Sequence, residues 1–185
     1  MEFGRINLHL SRRVDLLDPE SLSLLSFRHR ATKELAHLGL KGLVVVPDRY
    51  LHVTTLHLKN HPFTEKDLPA ATKDWPDHAG ESLHVTTKRA RVLGNSSPAT
   101  PTSFAIELDE DNPILRREHE HFSRVYHSPY AINNYIPHIT AVRMTEGISP
   151  ENAEEVSHWI TENITKKDAA EIKLKPTRAD LDILE

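Results

Sequence analysis

Leu51-His52-Val53-Thr54 and Pro137-His138-Ile139-Thr140 are two copies of one pattern, a His-x-Thr triplet framed by apolar residues, and the two histidines stand 86 positions apart (138 − 52). Both copies lie in apolar runs, 50–58 and 136–144, that are typical of β-strands. Residues i and i+2 of a strand project from the same face, so each imidazole lies beside a threonine hydroxyl. Each stretch therefore presents one proton-transfer group and one small hydrogen-bonding group.

The same order of elements leads to each copy. Alternation of Ile6, Leu8 and Leu10 with polar residues predicts a strand, and Asp18-Pro19-Glu20 supplies the cap, proline and acid that begin a helix. Strand, helix and motif strand are predicted at 5–10, 19–38 and 50–58, and again at 103–109, 113–126 and 136–144. The pattern has no short period, so it indicates a two-lobed duplication within one α+β domain spanning 1–185.

Further elements complete the chain. Strands are predicted at 43–46, 82–93 and 171–184, and a last helix begins at Ser149-Pro150-Glu151. Three prolines make 61–80 a surface connection, and 94–101 is predicted to be a loop because it is rich in Gly, Asn, Ser and Pro.

Composition and charge exclude several classes of protein. With 38% hydrophobic and 27% charged residues the chain is globular, and the absence of cysteine excludes disulfide scaffolds, thiolate metal sites and cysteine nucleophiles. No apolar run approaches the roughly 18 residues of a membrane span, and residues 1–5 lack a signal-peptide pattern. A net charge of −4 argues against binding along long duplex nucleic acid. We expect a cytoplasmic monomer with no membrane partner.

The histidines point to acid–base chemistry. There are thirteen of them, and His is the side chain whose ordinary pKa lies nearest neutrality. If the two motifs face one another, His52 and His138 suit in-line displacement at a phosphodiester, one removing a proton from the nucleophile and the other protonating the leaving oxygen. Thr54 and Thr140 would donate hydrogen bonds to non-bridging phosphate oxygens. This scheme requires no metal and no cofactor.

Other polar residues offer competing interpretations. A third triplet, His84-Val85-Thr86, lies in a strand that precedes the second half rather than ending a half, so we assign the working pair to His52 and His138. His84 in place of His52, or structural roles for these histidines, are the alternatives. Glu118-His119-Glu120-His121 lacks the His-Glu-x-x-His zinc spacing and is predicted to lie on a solvated helix face. The basic run at 88–91 is assigned to a solvated strand face.

On these motifs the sequence resembles the 2H phosphoesterase superfamily, which has two His-x-Thr/Ser motifs in the two lobes of a pseudo-symmetric fold. Residues 135–143, Tyr-Ile-Pro-His-Ile-Thr-Ala-Val-Arg, look like the signature of its RNA 2′,3′-cyclic phosphodiesterase branch. The resemblance implies mainly antiparallel sheets that line a central cleft, with helices outside. The first motif departs from the common pattern, since Thr55 stands where leucine is usual and His57 occupies the position that corresponds to Arg143.

The resemblance also implies a phosphodiesterase acting on a nucleotide or short oligonucleotide, next to a ribose hydroxyl. The linkage could be a 2′,3′-cyclic phosphate, a 2′-5′ bond, ADP-ribose cyclic phosphate, or that of the cyclic oligonucleotide messengers degraded by viral members.

Three further residues are candidates for substrate binding. Arg143 is a candidate phosphate ligand, although its odd offset from His138 places it on the opposite face unless the strand twists or bulges. Tyr50 and Tyr135 either stack on bases or belong to the core or rim. A nucleotide-binding module without catalysis and a zinc hydrolase are the rival classes of function.

Overall fold

The computed structural model describes residues 6–37, 39–61, 75–93, 103–109, 113–128, 134–144, 158, 159, 162 and 171–183. Within these ranges the chain forms β1 (Ile6–Val14), α1 (Leu22–His37), β2 (Leu43–Val45), β3 (His52–His61), β4 (Leu83–Leu93), β5 (Ser103–Leu108), α2 (Pro113–Val125), β6 (His138–Met144) and β7 (Glu171–Ile183). The α+β prediction is confirmed. No α-helix in the described ranges is both long and apolar enough to cross a membrane.

The strands form one antiparallel sheet in the order β2-β6-β3-β1-β7-β4-β5, and β5 pairs in addition with β6. The sheet therefore closes on itself. Its two lobes are β3-β1-β7 and β6-β5-β4, in which β3 corresponds to β6, β1 to β5 and β7 to β4. They meet along β4 and β7 on one side, and at Val53 opposite Ile139 on the other. The predicted two-lobed duplication is confirmed.

The helix of each half packs behind the motif strand of the other half. Helix α1 lies against β2 and β6, and α2 lies against β3. The buried stripe of α1 consists of Leu24, Phe27, Ala31 and Leu35, which share one core cluster with Val53 and Ile139. Complete burial of an aliphatic or aromatic side chain contributes about 1.5–3 kcal/mol. This core holds the central residues of both motif strands from behind.

Several boundaries differ from the predictions. Strand β1 continues past Leu10 to Val14 because Leu10, Arg12 and Val14 all face inward, and the charge of Arg12 is neutralised there. The two motif strands begin at the histidines rather than two residues earlier, since Tyr50 belongs to a 3-10 turn and Pro137 lacks the N–H that a strand requires. Most of the helix predicted from Ser149, the loop at 94–101 and most of the connection at 61–80 lie outside the described residues.

Arg12 and Glu118 form a fully buried ion pair between β1 and α2. The Arg12 Nε donates to Glu118 Oε2 over 2.9 Å, and the guanidinium also donates to the carbonyls of His78, Glu81 and Lys175 at 2.8, 2.6 and 3.1 Å. The burial of this pair joins the first strand of one half to the helix of the other.

The predicted solvated face at 118–121 is wrong for Glu118 and His119, which are buried. Glu118 lies three residues after Leu115 and four before Phe122, so it falls on the buried stripe of the helix. A carboxylate at such a position is tolerated because Arg12 and the Thr177 hydroxyl satisfy its oxygens.

Candidate active site

A cleft of about 740 Å³ opens on the face of the motif strands that points away from the core. Strand β1 contributes His9, Ser11 and Arg13, β3 contributes His52, Thr54 and His57, and β6 contributes Thr140 and Arg143. Val44 of β2 and the segment between β2 and β3, with Val46, Pro47, Arg49 and Tyr50, complete the lining. Five of the seven predicted site residues line the cleft: Tyr50, His52, Thr54, Thr140 and Arg143. His138 lies at the adjoining end of β6.

The two motifs meet at one antiparallel pair, Val53 opposite Ile139, and both of these side chains are fully buried. Antiparallel pairing at this point places His52 beside Thr140 and Thr54 beside His138. Because side chains alternate along a strand, these four groups share the face opposite to Val53 and Ile139. Each histidine thereby stands next to the threonine of the other motif.

Each motif strand carries one extra residue directly after its motif. Leu10 pairs with Leu56 and the next residue, Ser11, pairs with Thr54, so one residue of β3 is left unpaired. In the same way, consecutive residues of β5 pair with Val142 and Thr140 of β6. The burial sequence is identical in the two strands: residues 52–58 and 138–144 are in turn half-buried, buried, half-buried, buried, buried, exposed and buried.

These bulges at Thr55 and Ala141 reverse the alternation. They bring Arg143 onto the face of His138, although an odd number of positions separates the two residues. Arg143 consequently lines the cleft. His57 lies at the equivalent position of β3 and lines the cleft as well. Arg143 and His57 therefore occupy equivalent positions in the two lobes.

The backbone orients both motif histidines in the same way. His52 Nδ1 lies 2.6 Å from the carbonyl oxygen of Tyr50, and His138 Nδ1 lies 2.8 Å from that of Ile136. A carbonyl only accepts hydrogen bonds, so Nδ1 carries the proton in each ring. In the neutral form Nε2 then bears the lone pair, which is the atom able to accept a proton.

Two solved structures share the fold of this chain over nearly its whole length. No protein-family model matches the chain, and no curated protein matches it. Usb1 from Kluyveromyces marxianus, solved with uridine monophosphate, aligns with a TM-score of 0.62 at 14% identity over 98% of this chain and 99% of its own. LigT from Escherichia coli in its apo form aligns with a TM-score of 0.50 at 12% identity over 98% of this chain and 96% of its own. The chain has the 2H phosphoesterase fold.

The two histidines of this 2H phosphoesterase fold have different neighbours across the sheet. His52 lies opposite Arg13, whereas His138 lies opposite Glu107. Glu107 is buried and accepts hydrogen bonds from Arg89 at 2.9 Å and Arg91 at 3.1 Å. The solvated face predicted for 88–91 holds for Lys88 and Arg89, which are exposed, whereas Arg91 is half-buried, and both arginines neutralise the buried carboxylate.

This environment sets the protonation of His138. Burial lowers the pKa of His138, and the nearby Arg91 lowers it further, while the Ile136 carbonyl and Glu107 act in the opposite direction. The net pKa of His138 lies below its ordinary value of 6.5. Burial also raises the pKa of Glu107, but Arg89 and Arg91 outweigh it and the carboxyl stays ionised. His138 is accordingly neutral at neutral pH.

His9 is a site residue that sequence reasoning missed. Its Nε2 lies 2.9 Å from the Thr54 hydroxyl oxygen, and its ring meets the His52 ring edge-on at 4.7 Å. The available signal was the polar face of β1, where His9, Ser11 and Arg13 alternate with inward residues. The strand prediction for β1 rests only on its apolar face, Ile6, Leu8 and Leu10.

The two tyrosines lie in different surroundings. Tyr50 lines the cleft with 51% of its surface exposed, and the Arg49 guanidinium lies 4.8 Å from the centre of its ring. Tyr135 is not among the cleft residues: its ring stacks on His119 at 4.1 Å, and its hydroxyl donates to the Thr54 carbonyl at 3.0 Å. Tyr135 therefore supports the motif strand from behind instead of offering a free face to a base.

His84 of the third triplet lies away from the cleft. Its Nδ1 is 3.4 Å from a carboxylate oxygen of Glu20 and 3.6 Å from one of Glu171. These three exposed side chains could together reach one metal ion, yet none of them lines the cleft.

Proposed function

We propose that the protein is a phosphodiesterase that acts on a nucleotide or short oligonucleotide, at a phosphodiester next to a ribose hydroxyl. The observation that carries this proposal is the antiparallel pairing of Val53 with Ile139, which sets two His-Thr pairs side by side on one face. Usb1, which shares the fold, was solved with uridine monophosphate, and this supports a nucleotide as the ligand.

In this proposal His138 is the general base and His52 the general acid. Nε2 of His138, neutral because of its lowered pKa, takes the proton from the nucleophile, which is water or the ribose 2′-hydroxyl. The nucleophile's oxygen forms a bond to phosphorus while the bond from phosphorus to the leaving oxygen breaks. Protonated His52 then gives its Nε2 proton to that leaving oxygen, so charge and protons balance.

The neighbouring groups stabilise the charge that develops on phosphorus oxygens. Thr54 and Thr140 donate to the non-bridging oxygens. In this proposal His9 carries its proton on Nε2 and donates to the Thr54 oxygen, which leaves the hydroxyl hydrogen of Thr54 to point toward the phosphate. Arg143 and His57, at equivalent positions in the two lobes, provide further cationic or hydrogen-bonding groups at the cleft.

A substrate panel tests the proposal. The protein is incubated with nucleoside 2′,3′-cyclic phosphates, 2′-5′ and 3′-5′ dinucleotides, ADP-ribose cyclic phosphate and cyclic oligonucleotides, and products are identified by mass spectrometry. Turnover of any member supports the proposal, and the product fixes the linkage and the position of the phosphate. Binding without turnover across the whole panel would instead support a nucleotide-binding module.

The pH dependence of kcat/KM identifies the base. A base must be neutral to act, so activity falls as the pH drops through its pKa, and we expect this acidic limb below pH 6.5. Arg91→Gln removes a cation that lowers the pKa of His138, so the limb should move to higher pH. Lys88→Gln removes the same charge at an exposed site of the same strand and should leave the limb in place. A shift of the basic limb in Arg91→Gln would reverse the assignment of acid and base.

Chelator treatment separates this mechanism from that of a metal hydrolase. Neither histidine role requires a metal, so saturating EDTA should leave the rate unchanged. In a zinc or magnesium mechanism the ion generates the nucleophile or holds the phosphate, and its removal stops turnover. A rate that collapses in EDTA and returns with one divalent ion would contradict the two-histidine mechanism.

His9 is expected to act as a positioning residue through Thr54. His9→Ala removes one hydrogen bond, typically worth about 1 kcal/mol, so kcat should fall roughly fivefold with little change in KM. His9→Gln keeps a donor and should recover part of the loss. His29→Ala, at an exposed position of α1, is the matched control. Equal rates for His9→Ala and the unaltered protein would remove His9 from the site.

A further inference from the structure

Two neighbouring cavities share the side chains of Arg13 and Arg49. One is the cleft of about 740 Å³, and the other is a smaller cavity of about 180 Å³ that is also lined by Leu16, Leu17, Asp48 and Lys175. The two arginines therefore lie where the cleft continues beyond the His-x-Thr strands.

Arg13 lies two residues along β1 from Ser11, which pairs with Thr54 of the first motif. Ser11 pairs with Thr54 and Arg13 pairs with His52, and all four residues line the cleft. Residues two apart in a strand are separated by roughly 7 Å. Arg13 thus flanks the centre on the side of His52, at about the length of one nucleotide unit.

The charges of Arg13 and Arg49 are not neutralised by a neighbouring acid. In the part of the chain that the structure describes, neither guanidinium forms an ion pair, and the contact of Arg49 is with the face of the Tyr50 ring. The protein as a whole has a net charge of −4, so two uncompensated cations on one cavity wall are a local exception.

The carboxylates near these arginines are occupied by other cations. Asp48 is paired with Arg28, a buried side chain that also donates to the Val46 carbonyl. Asp15 lies 3.6 Å from the ammonium group of Lys175. The contacts of Arg28 fix the turn that carries Arg49.

We propose, on the basis of the function proposed above, that Arg13 and Arg49 bind a second phosphate group of the substrate, one nucleotide unit from the phosphate that reacts. Guanidinium groups suit this ligand because they form paired, charge-assisted hydrogen bonds with phosphate oxygens. The exposed ring of Tyr50 beside Arg49 is placed to contact the adjoining base. The preferred substrate then carries at least two phosphates, as an oligonucleotide or as a nucleotide with a terminal phosphate.

Calorimetric titration with matched ligands tests this subsite. Uridine and adenosine 3′-monophosphates are compared with the corresponding 3′,5′-bisphosphates, which differ by one phosphate. We expect the bisphosphates to bind about tenfold more tightly to the unaltered protein. Arg13→Gln and Arg49→Gln should each lose most of that gain, and Arg13→Lys should keep part of it. Arg117→Gln, at an exposed position of α2 outside the cleft, should keep all of it.

Turnover of the substrate panel separates the two proposals. Equal affinity for mono- and bisphosphates, or a gain that survives in both glutamine variants, overturns the second phosphate subsite even if the panel is turned over. A gain in affinity for the bisphosphates that depends on Arg13 and Arg49 supports the subsite. If that same protein turns over no member of the panel, only the phosphodiesterase proposal fails. Dinucleotides with and without a 5′-phosphate then distinguish an internal from a terminal second phosphate.

Discussion

His52→Ala and His138→Ala are each expected to lower the turnover number by about 10²–10⁴-fold on whichever panel substrate is used, because each removes one of the two proton-transfer groups. The double variant should be little slower than either single one, since the two groups act in the same step. Rates are measured under substrate saturation, and circular dichroism confirms that the variants remain folded.

His84→Ala is the matched control for these variants. It also removes the histidine of a His-x-Thr triplet, but its ring lies beside Glu20 and Glu171, away from the cleft. It should retain nearly full activity. If His84→Ala were as damaging as His52→Ala, the assignment of the first-lobe histidine would be wrong.

Glu118→Leu is expected to lower the free energy of unfolding by about 3–5 kcal/mol, because it leaves the fully buried charge of Arg12 without its counter-ion. Urea unfolding followed by circular dichroism measures the change. The loss is a large part of the roughly 5–15 kcal/mol by which a domain is usually stable, so part of the population could unfold at elevated temperature.

Two variants show whether the ion pair is the cause. Glu120→Gln changes a half-buried carboxylate of the same helix, which lies 3.5 Å from Arg124, and should alter the free energy of unfolding by less than about 1 kcal/mol. Adding Arg12→Met to Glu118→Leu should restore only part of the stability, since it removes the unpaired charge but leaves the carbonyls of His78, Glu81 and Lys175 without this donor. A double variant as unstable as Glu118→Leu alone would show that the unpaired charge of Arg12 is not the main cause of the loss.

The sequence by itself determined the kinds of elements, their order and the duplication. Apolar alternation and capping residues are local signals, and they placed β1, α1, β5 and α2 close to their observed positions. The alternation also placed His52 with Thr54, and His138 with Thr140, on one face of each motif strand.

Only the tertiary structure decided which residues join those pairs in the cleft. The bulges at Thr55 and Ala141 depend on the register with β1 and β5, and they alone turn His57 and Arg143 toward the cleft. His9 reaches Thr54 across 45 positions of sequence, because β1 pairs with β3. Register is a property of two strands together, so the sequence pattern of one strand does not contain it.

The burial of charge was likewise a tertiary outcome. Arg12 and Glu118 are 106 positions apart, and each appears in its own segment as an ordinary surface residue. A buried charge is stable only when a partner and further hydrogen bonds surround it, which requires the strand and the helix to meet at one place. The same holds for His138, whose pKa falls because the folded chain buries it beside Arg91, whereas the sequence showed only two equivalent histidines.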